Sequence, residues 1–223
     1  MSEDPPSRSR VEALERQQAV LREELDLTHG LEAPPELVAG LDVSYEIGTQ
    51  NAVAAAVLTD VNSLTVLESA IIHREVTLPY IPGFLGFREA PILEEALGKL
   101  AGRPDLLVCD GYGIAHPRRF GLASHVGVLT GLPSFGVAKS PFTTAFADPG
   151  PQRGEWSPLI EDGEVLGRVL RTQTGVKPVF VSVGHRVTLE QATELTLRMS
   201  PQYRIPEATR KADFLSREVL RTR

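Results

Sequence analysis

The sequence predicts a mixed α/β protein, in which one sheet of three antiparallel strands followed by parallel strands carries helices on both faces. Three strand-like runs in the first third of the chain are separated by short polar gaps, which is typical of an antiparallel meander. Farther along, wholly apolar strands alternate with helical segments, as expected for parallel strands buried on both faces. With 223 residues, 42% of them apolar, the chain can bury a large core without disulfides.

The first part of the chain is predicted to contain one helix and three strands. Apolar residues from Val11 to Leu25 recur at helical spacing among many charges, which predicts an amphipathic helix at about 8–27 that packs on another element. A turn at 33–35 follows. The three predicted strands are LVAGLDVSY (37–45), AVAAAVLTD (52–60) and LTVLESAIIHREV (64–76).

The remaining elements alternate between the two types. The predicted order is a helix at 91–100, a strand at 105–110, a helix at 121–131, strands at 133–139, about 164–171 and 178–183, a helix capped by Thr188, and a helix after Pro206. Residues 141–158 are rich in turn formers and are predicted to be a surface loop. Since no change in composition marks a boundary, residues 1–223 are predicted to form a single domain.

Composition and charge limit the function classes. The single cysteine, Cys109, cannot pair within the chain, and no segment has the length and apolarity of a membrane span, so we expect a protein of the reducing cytoplasm. The formal net charge of −6 argues against general coating of nucleic acid, whereas six basic residues against three acidic ones at 200–223 leave room for local phosphate binding. A solvated helix face explains that basic segment equally well.

Acidic residues at strand ends are the main candidates for chemistry. Asp42 lies inside an apolar strand, and Asp110 ends another where a glycine turn begins. Each taken alone fits a turn cap or a hydrogen-bonded core aspartate, but together they suit a hard-cation site for Mg²⁺, with Mn²⁺ as a substitute. Glu89, in a segment just before the helix at 91–100, and Asp213 are further candidates, although a helix-dipole contact and an ion pair explain these two as well. Lys139 could add a positive charge at a phosphate.

A second candidate region is the segment PYIPGFLGFRE at 79–89. Two prolines enclose Tyr80 and Ile81 and predict a stiff, exposed apolar tip that could wedge between bases. Glycine turns at Gly83, Gly111 and Gly113 could receive an extruded base through their backbone groups. A hydrophobic surface loop or a partner contact remains the alternative. His116 could contact phosphate, transfer a proton or cap a helix.

The chain resembles the endonuclease V family of deoxyinosine-specific nucleases from about residue 10 to residue 217. Six blocks carry the resemblance in order: GLDVSY (40–45), PYIPGFLGFRE (79–89), LLVCDGYGIAHPRRFGLASHVGV (106–128), GVAKS (136–140), VSVGHRVTLEQA (181–192) and YRIPEATRKAD (203–213). The resemblance implies a ribonuclease-H-like fold and cleavage of the second phosphodiester bond 3′ to hypoxanthine, which leaves 3′-hydroxyl and 5′-phosphate ends.

The resemblance also implies roles for individual residues. Asp42, Glu89 and Asp110 match the family's metal-binding carboxylates, and Lys139 matches its active-site lysine. The wedge falls on Tyr80, Ile81 and Pro82, and the lesion pocket on Gly83, Leu85, Gly111 and Gly113. Asp213 stands where the family has either histidine or aspartate, which implies a role at a second metal or in positioning water.

Three functions are compatible with these patterns. The first is a Mg²⁺-dependent endonuclease that begins repair of DNA containing deoxyinosine. The second is a ribonuclease that acts mainly on inosine in RNA, because a phosphate site alone need not reject ribose. The third is a non-catalytic inosine-binding module whose carboxylates only hold structure. No membrane partner is expected, and nothing in the sequence demands more than a monomer.

Overall fold

A computed structural model describes residues 7–142 and 146–222 of the chain. Their strands form one eight-stranded sheet in the order β3-β2-β1-β4-β5-β8-β7-β6. The strands are β1 Leu37–Tyr45, β2 Asn51–Asp60, β3 Val66–Glu75, β4 Leu106–Cys109, β5 Ser134–Ala138, β6 Trp156–Glu161, β7 Glu164–Leu170 and β8 Val179–His185. The helices are α1 Arg8–Glu23, α2 Leu85–Leu97, α3 Leu122–Thr130, α4 Leu189–Arg198 and α5 Glu207–Arg221.

The centre of the sheet places two strand ends next to each other. β1, β2 and β3 form the expected antiparallel meander, and β4 pairs in parallel with both β1 and β5. In the β1–β4 register Leu41 lies opposite Cys109, and the residues that follow them are Asp42 and Asp110. The two carboxylates therefore meet at one edge of the sheet, where open α/β sheets collect their ligands.

Helices cover both faces of the sheet. On one face, Leu41 and Ile92 belong to the core that α2 and α3 share with the central strands. On the opposite face, α5 packs against β1 and β2, and Ala212 is buried with Ala55. The approach of α5 is so close that a Cβ added to Gly40 would lie 2.1 Å from the backbone of Ala208. This contact carries the middle of α5 to the end of β1.

The mixed α/β prediction is confirmed, but several boundaries differ. α1 ends at Glu23 instead of about residue 27, because the Asp26 carboxylate accepts the backbone N–H groups of Thr28 and His29, both at 3.1 Å, and forms a turn. α2 begins at Leu85 instead of residue 91 and contains Pro91. Proline favours helix starts, which is why the pattern suggested a start at residue 91.

The predicted loop at 141–158 is also shorter than expected. Residue 156 already begins β6, the outermost strand of the sheet, which tolerates Pro158 because an edge strand has one unpaired side. β6, β7 and β8 form a second antiparallel meander that joins β5 through β8. The capping box predicted at Thr188 is present, with Gln191 as its partner.

Among the residues described, no helix combines the length and the apolarity that crossing a membrane would require.

Candidate active site

Three aspartates from distant parts of the sequence converge at the edge of the sheet. Asp42 comes from β1, Asp110 follows β4 and Asp213 lies in the middle of α5. One carboxylate oxygen from each lies within 4.8 Å of one from each of the others. An all-oxygen donor set of this size suits Mg²⁺ or Mn²⁺ rather than zinc.

The buried Asp42 carboxylate is held by a serine of α5. The hydroxyl of Ser216 donates a hydrogen bond of 2.7 Å to Oδ2 of Asp42 and lies 2.7 Å from the hydroxyl of Ser44. Burial raises the pKa of Asp42 to about 6; the Ser216 hydrogen bond opposes this rise, and repulsion from Asp110 and Asp213 adds to it. Burial and repulsion thus disfavour the ionised form of Asp42, and a bound divalent cation would stabilise it.

Two cations lie within the acidic cluster. Lys139, directly after β5, forms salt bridges to Asp110 and, at 3.2 Å, to Oδ1 of Asp213. Burial works against the charge on Lys139, but its bonds to Asp110 and Asp213 prevail and raise its pKa. Arg217 lies one helical turn beyond Asp213 and approaches the same Oδ1 at 2.9 Å. The two cations are fewer than the three aspartates, so the residues present fit a bound divalent cation.

Glu89 reaches this region from the opposite face of the sheet. It lies in the second turn of α2, is buried, and accepts a hydrogen bond of 3.0 Å from the hydroxyl of Tyr45. Burial raises its pKa to about 8, with a further contribution from the charges of Asp42 and Asp110. Glu89 is not part of the three-aspartate set, and its assignment as a metal ligand stays a prediction.

A cavity of about 350 Å³ opens beside the aspartates and shares Asp110 and Lys139 with them. Its further lining residues include the predicted Tyr80, Gly83, Leu85, Gly111 and His116, together with Tyr112 and Phe142. Gly83 has a φ of +84°, a conformation that residues with a Cβ rarely adopt. Gly113 is outside this lining, because it packs against β8 and donates its N–H to the hydroxyl of Ser182 at 2.8 Å.

The loop at 80–83 corrects one expectation about the apolar tip. Tyr80 is 64% exposed and Pro82 is also exposed, whereas Ile81 is only 7% exposed. The Ile81 carbonyl accepts the N–H of Phe84 at 3.0 Å, so the chain turns here and carries the isoleucine inward. The exposed tip therefore consists of Tyr80 and Pro82, and the prediction that Ile81 is exposed was wrong.

His116 contributes an uncharged ring to the cavity. Its Nδ1 accepts the backbone N–H of Arg118 at 3.2 Å, and its ring centroid lies 5.7 Å from that of Phe142. Burial, with a smaller contribution from the charge of Arg118, lowers the pKa of His116 to about 4. His116 is therefore neutral at neutral pH and does not offer a positive charge to phosphate.

Several residues of the site were not found from the sequence. Ser216 follows Asp213 by three positions and so shares its helix face, a signal that becomes useful only once α5 is placed over β1. Tyr45 could have been noticed as a polar aromatic residue at the end of β1. Phe142 lies in the predicted loop, where nothing local indicates that its ring meets Tyr112 at 5.7 Å.

The fold and the site together define a ribonuclease-H-like α/β protein, in which carboxylates gather at the ends of the central strands. More particularly, the chain belongs to the Endonuclease V family, whose family model matches residues 19–214. It is 56% identical to Endonuclease V of Streptomyces avermitilis over 184 residues, which cover 82% of this chain and 80% of that protein.

Solved structures agree with this assignment. The crystal structure of Endonuclease V from Streptomyces avermitilis matches with a TM-score of 0.91 and 50% identity, covering 100% of this chain and 96% of that one. A structure of Ciona intestinalis Endonuclease V matches with a TM-score of 0.86 and 27% identity, covering 97% of this chain and 99% of that one. That protein is in complex with a 23mer DNA containing an inosine followed by a ribo-adenosine.

Proposed function

We propose that this protein is a divalent-metal-dependent endonuclease that recognises hypoxanthine in DNA and hydrolyses the second phosphodiester bond on its 3′ side, thereby initiating repair. One observation carries the proposal: Asp110 belongs both to the three-aspartate cluster and to the lining of the 350 Å³ cavity, and Lys139 lines the same cavity and forms salt bridges to the cluster. A base held in the cavity would thus lie beside a site for a phosphate. The inosine-containing DNA bound to the Ciona relative supports this choice of substrate. In this proposal residues 1–223 form one domain, which acts as a monomer in the cytoplasm.

The three aspartates would hold Mg²⁺, or Mn²⁺ in its place, with Glu89 as a further candidate ligand. When bound, the cation activates water and neutralises charge that develops on the phosphate. In the proposed reaction the oxygen of water attacks phosphorus in line and gives up a proton, the bond from phosphorus to the 3′ oxygen breaks, and the 3′ oxygen takes up a proton. The products carry 3′-hydroxyl and 5′-phosphate ends.

Residues of the chain supply orientation and charge to this reaction. Ser216 fixes one oxygen of Asp42, which leaves the other free to face the cation. Lys139 holds its positive charge beside Asp110 at the mouth of the cavity, where a phosphate next to a bound base would pass. Preorganised charge of this kind acts more strongly in a partly buried site than in water.

Recognition of the base is assigned to backbone groups of the cavity. Deamination of adenine replaces an amino group at C6 with a carbonyl, so the base edge changes from donor to acceptor. Backbone groups near Gly83 and Gly111 line the cavity. A backbone N–H there would donate a hydrogen bond to the C6 carbonyl of hypoxanthine, whereas the C6 amino group of adenine could not accept it. The weak pairing of hypoxanthine lowers the cost of extruding it, and Tyr80 with Pro82 would fill the gap left in the duplex.

A second candidate function is cleavage of inosine-containing RNA. It is favoured by one specific observation, since the DNA bound to the Ciona relative has a ribo-adenosine immediately after the inosine. A 2′-hydroxyl at that position is therefore compatible with binding in a protein of this family.

The test uses end-labelled strands that differ only at one position, with inosine or adenosine, in DNA and in RNA. The proposal expects cleavage of the inosine strand at the second bond on the 3′ side, only with added divalent cation. Faster cleavage of RNA than of DNA would favour the second candidate. Binding of inosine strands without cleavage of either would instead support the non-catalytic binding module.

A further inference from the structure

The amphipathic helix α1 buries a glutamine in the middle of its apolar face. Leu14 and Leu21 are half-buried, whereas Gln18, at helical spacing between them, is the one buried residue of α1 and is only 3% exposed. Burial of an amide costs free energy unless its polar atoms find partners. An apolar residue would pack here at lower cost, so the amide itself requires an explanation.

The amide of Gln18 connects two separate segments of the cavity wall. Its Nε2 donates one hydrogen bond of 3.2 Å to the carbonyl of Gly83 and another of 2.9 Å to the carbonyl of Phe120. Both residues line the cavity, Gly83 after the exposed tip and Phe120 just before α3. An amide nitrogen has two hydrogens, and both are engaged.

The other end of the same amide has no partner. Within the described part of the chain, Oε1 of Gln18 is buried and accepts no hydrogen bond. The position therefore uses the side chain as a double donor only. Leaving Oε1 without a partner costs free energy. This cost indicates that the residue is retained for the two hydrogen bonds that link the carbonyls of Gly83 and Phe120.

A neighbouring contact from α1 reaches the same two segments. Glu15 forms a salt bridge of 2.8 Å with Arg118, and the Arg118 guanidinium stacks 4.3 Å from the ring centroid of Phe84. Arg118 lies two residues before Phe120, and Phe84 directly follows Gly83. α1 thus fastens both walls by two independent contacts.

We propose that Gln18 is a positioning residue that sets the separation of the Gly83 and Phe120 segments and thereby the selectivity of the cavity for hypoxanthine. The inference rests on the proposed function, which assigns the base to this cavity. Recognition by backbone groups needs those groups held within about 0.5 Å of their working positions. Because backbone atoms cannot be replaced, the selectivity depends on the side chain that holds them.

The test compares Gln18→Met with Gln17→Met. Methionine keeps the length of the side chain and removes both donors, and Gln17 is an exposed neighbour on the same helix. Affinity is measured by fluorescence anisotropy, without divalent cation, for a DNA strand containing inosine and for one with a tetrahydrofuran abasic residue in its place. We expect the inosine preference of Gln18→Met to fall about tenfold, because the backbone groups that read the base are no longer held in place, with abasic affinity unchanged. Gln17→Met should keep the preference.

The other outcomes separate the possible errors. An inosine preference that survives Gln18→Met, or an equal loss of affinity for both strands, overturns the inference, because a merely structural residue would move both. Gln18→Leu repeats the test with a second uncharged side chain that has no hydrogen-bond donor, in case Gln18→Met does not fold. A wild-type protein without any preference overturns the proposed function and this inference with it.

Discussion

The hydroxyl of Ser216 lies 2.7 Å from Oδ2 of Asp42 and thereby links α5 to the carboxylate at the end of β1. The two residues are 174 positions apart in the sequence. The hydrogen bond fixes the rotation of a carboxylate that burial would otherwise drive toward its neutral form. Ser216 also lies one helical turn from Asp213. The helix α5 therefore supplies one aspartate of the acidic cluster and the serine that holds another, Asp42.

Ser216→Ala should weaken binding of divalent cations. Without the hydroxyl, Asp42 is free to rotate and loses a charge-assisted hydrogen bond, so we expect about tenfold weaker Mn²⁺ binding and a loss of about 1–3 kcal/mol in the free energy of unfolding. Titration calorimetry and chemical denaturation measure the two effects. Ser9→Ala, at an exposed serine of α1, is the control. Unchanged Mn²⁺ affinity would show that Ser216 only connects α5 to β1 and has no effect on binding of the cation.

Asp110→Asn should abolish cleavage without abolishing binding of inosine-containing DNA. The substitution removes one charged member of the cluster while keeping its shape, so turnover should fall by at least about a hundredfold. Cleavage of labelled strands and anisotropy measure the two properties separately. Asp162→Asn, in the exposed turn between β6 and β7, is the matched control. Undiminished cleavage by Asp110→Asn would remove this residue from the mechanism.

The metal-free protein should lose stability as the pH rises above neutrality. Burial raises the pKa of Glu89 from 4.5 to about 8, so the folded state retains a proton that the unfolded state has released. This contribution is fully present below the unfolded pKa and disappears as the pH rises through about 8. His116 and His125, whose pKa values burial lowers to about 4, are neutral throughout this range and do not interfere.

The pH effect is measured as the melting temperature of metal-free protein between about pH 7 and pH 9. Wild-type protein should melt at a lower temperature at the higher pH, and Glu89→Gln should flatten the dependence because it cannot ionise. An equally steep decline in Glu89→Gln would assign the effect to other groups.

Tyr80→Ala should weaken lesion binding and leave the metal site intact. The side chain is 64% exposed, so its removal should change the free energy of unfolding by less than about 0.5 kcal/mol. Anisotropy with inosine-containing duplex and Mn²⁺ calorimetry test the two halves of the prediction. Leu67→Ala, another exposed apolar residue on the outer strand β3, provides the comparison. Unaltered duplex binding by Tyr80→Ala would argue against a wedge.

Much of the fold could be predicted because its strands are locally distinctive. β2 and β4 are largely apolar, and β1 is apolar up to Asp42, so the burial of these strands follows directly from their composition. β6 was missed because an edge strand with Pro158 lacks that pattern and is stabilised by its neighbour β7. The start of α2 was misplaced because Pro91 suggests a helix start, whereas packing of α2 on the sheet and α3 retains a proline inside the helix.

The sequence predicts the carboxylates of the site but not the residues that hold the site in place. Asp42 and Asp110 stand out because each interrupts or ends an apolar run, and the parallel pairing of β1 with β4 then brings them together. Ser216 and Gln18 carry no local signal, since their importance comes from contacts across 174 and 102 positions of sequence. The inward turn of Ile81 likewise depends on a backbone hydrogen bond that composition does not show.

The central claim is that side chains distant in sequence bind one divalent cation beside the cavity. Crystals soaked in Mn²⁺ and measured by anomalous diffraction at the manganese edge test it directly. The account predicts an anomalous peak coordinated by the carboxylates of Asp42 and Asp110, with Asp213 within reach. An anomalous peak at another place in the protein, or no anomalous peak between these carboxylates after the Mn²⁺ soak, would contradict it.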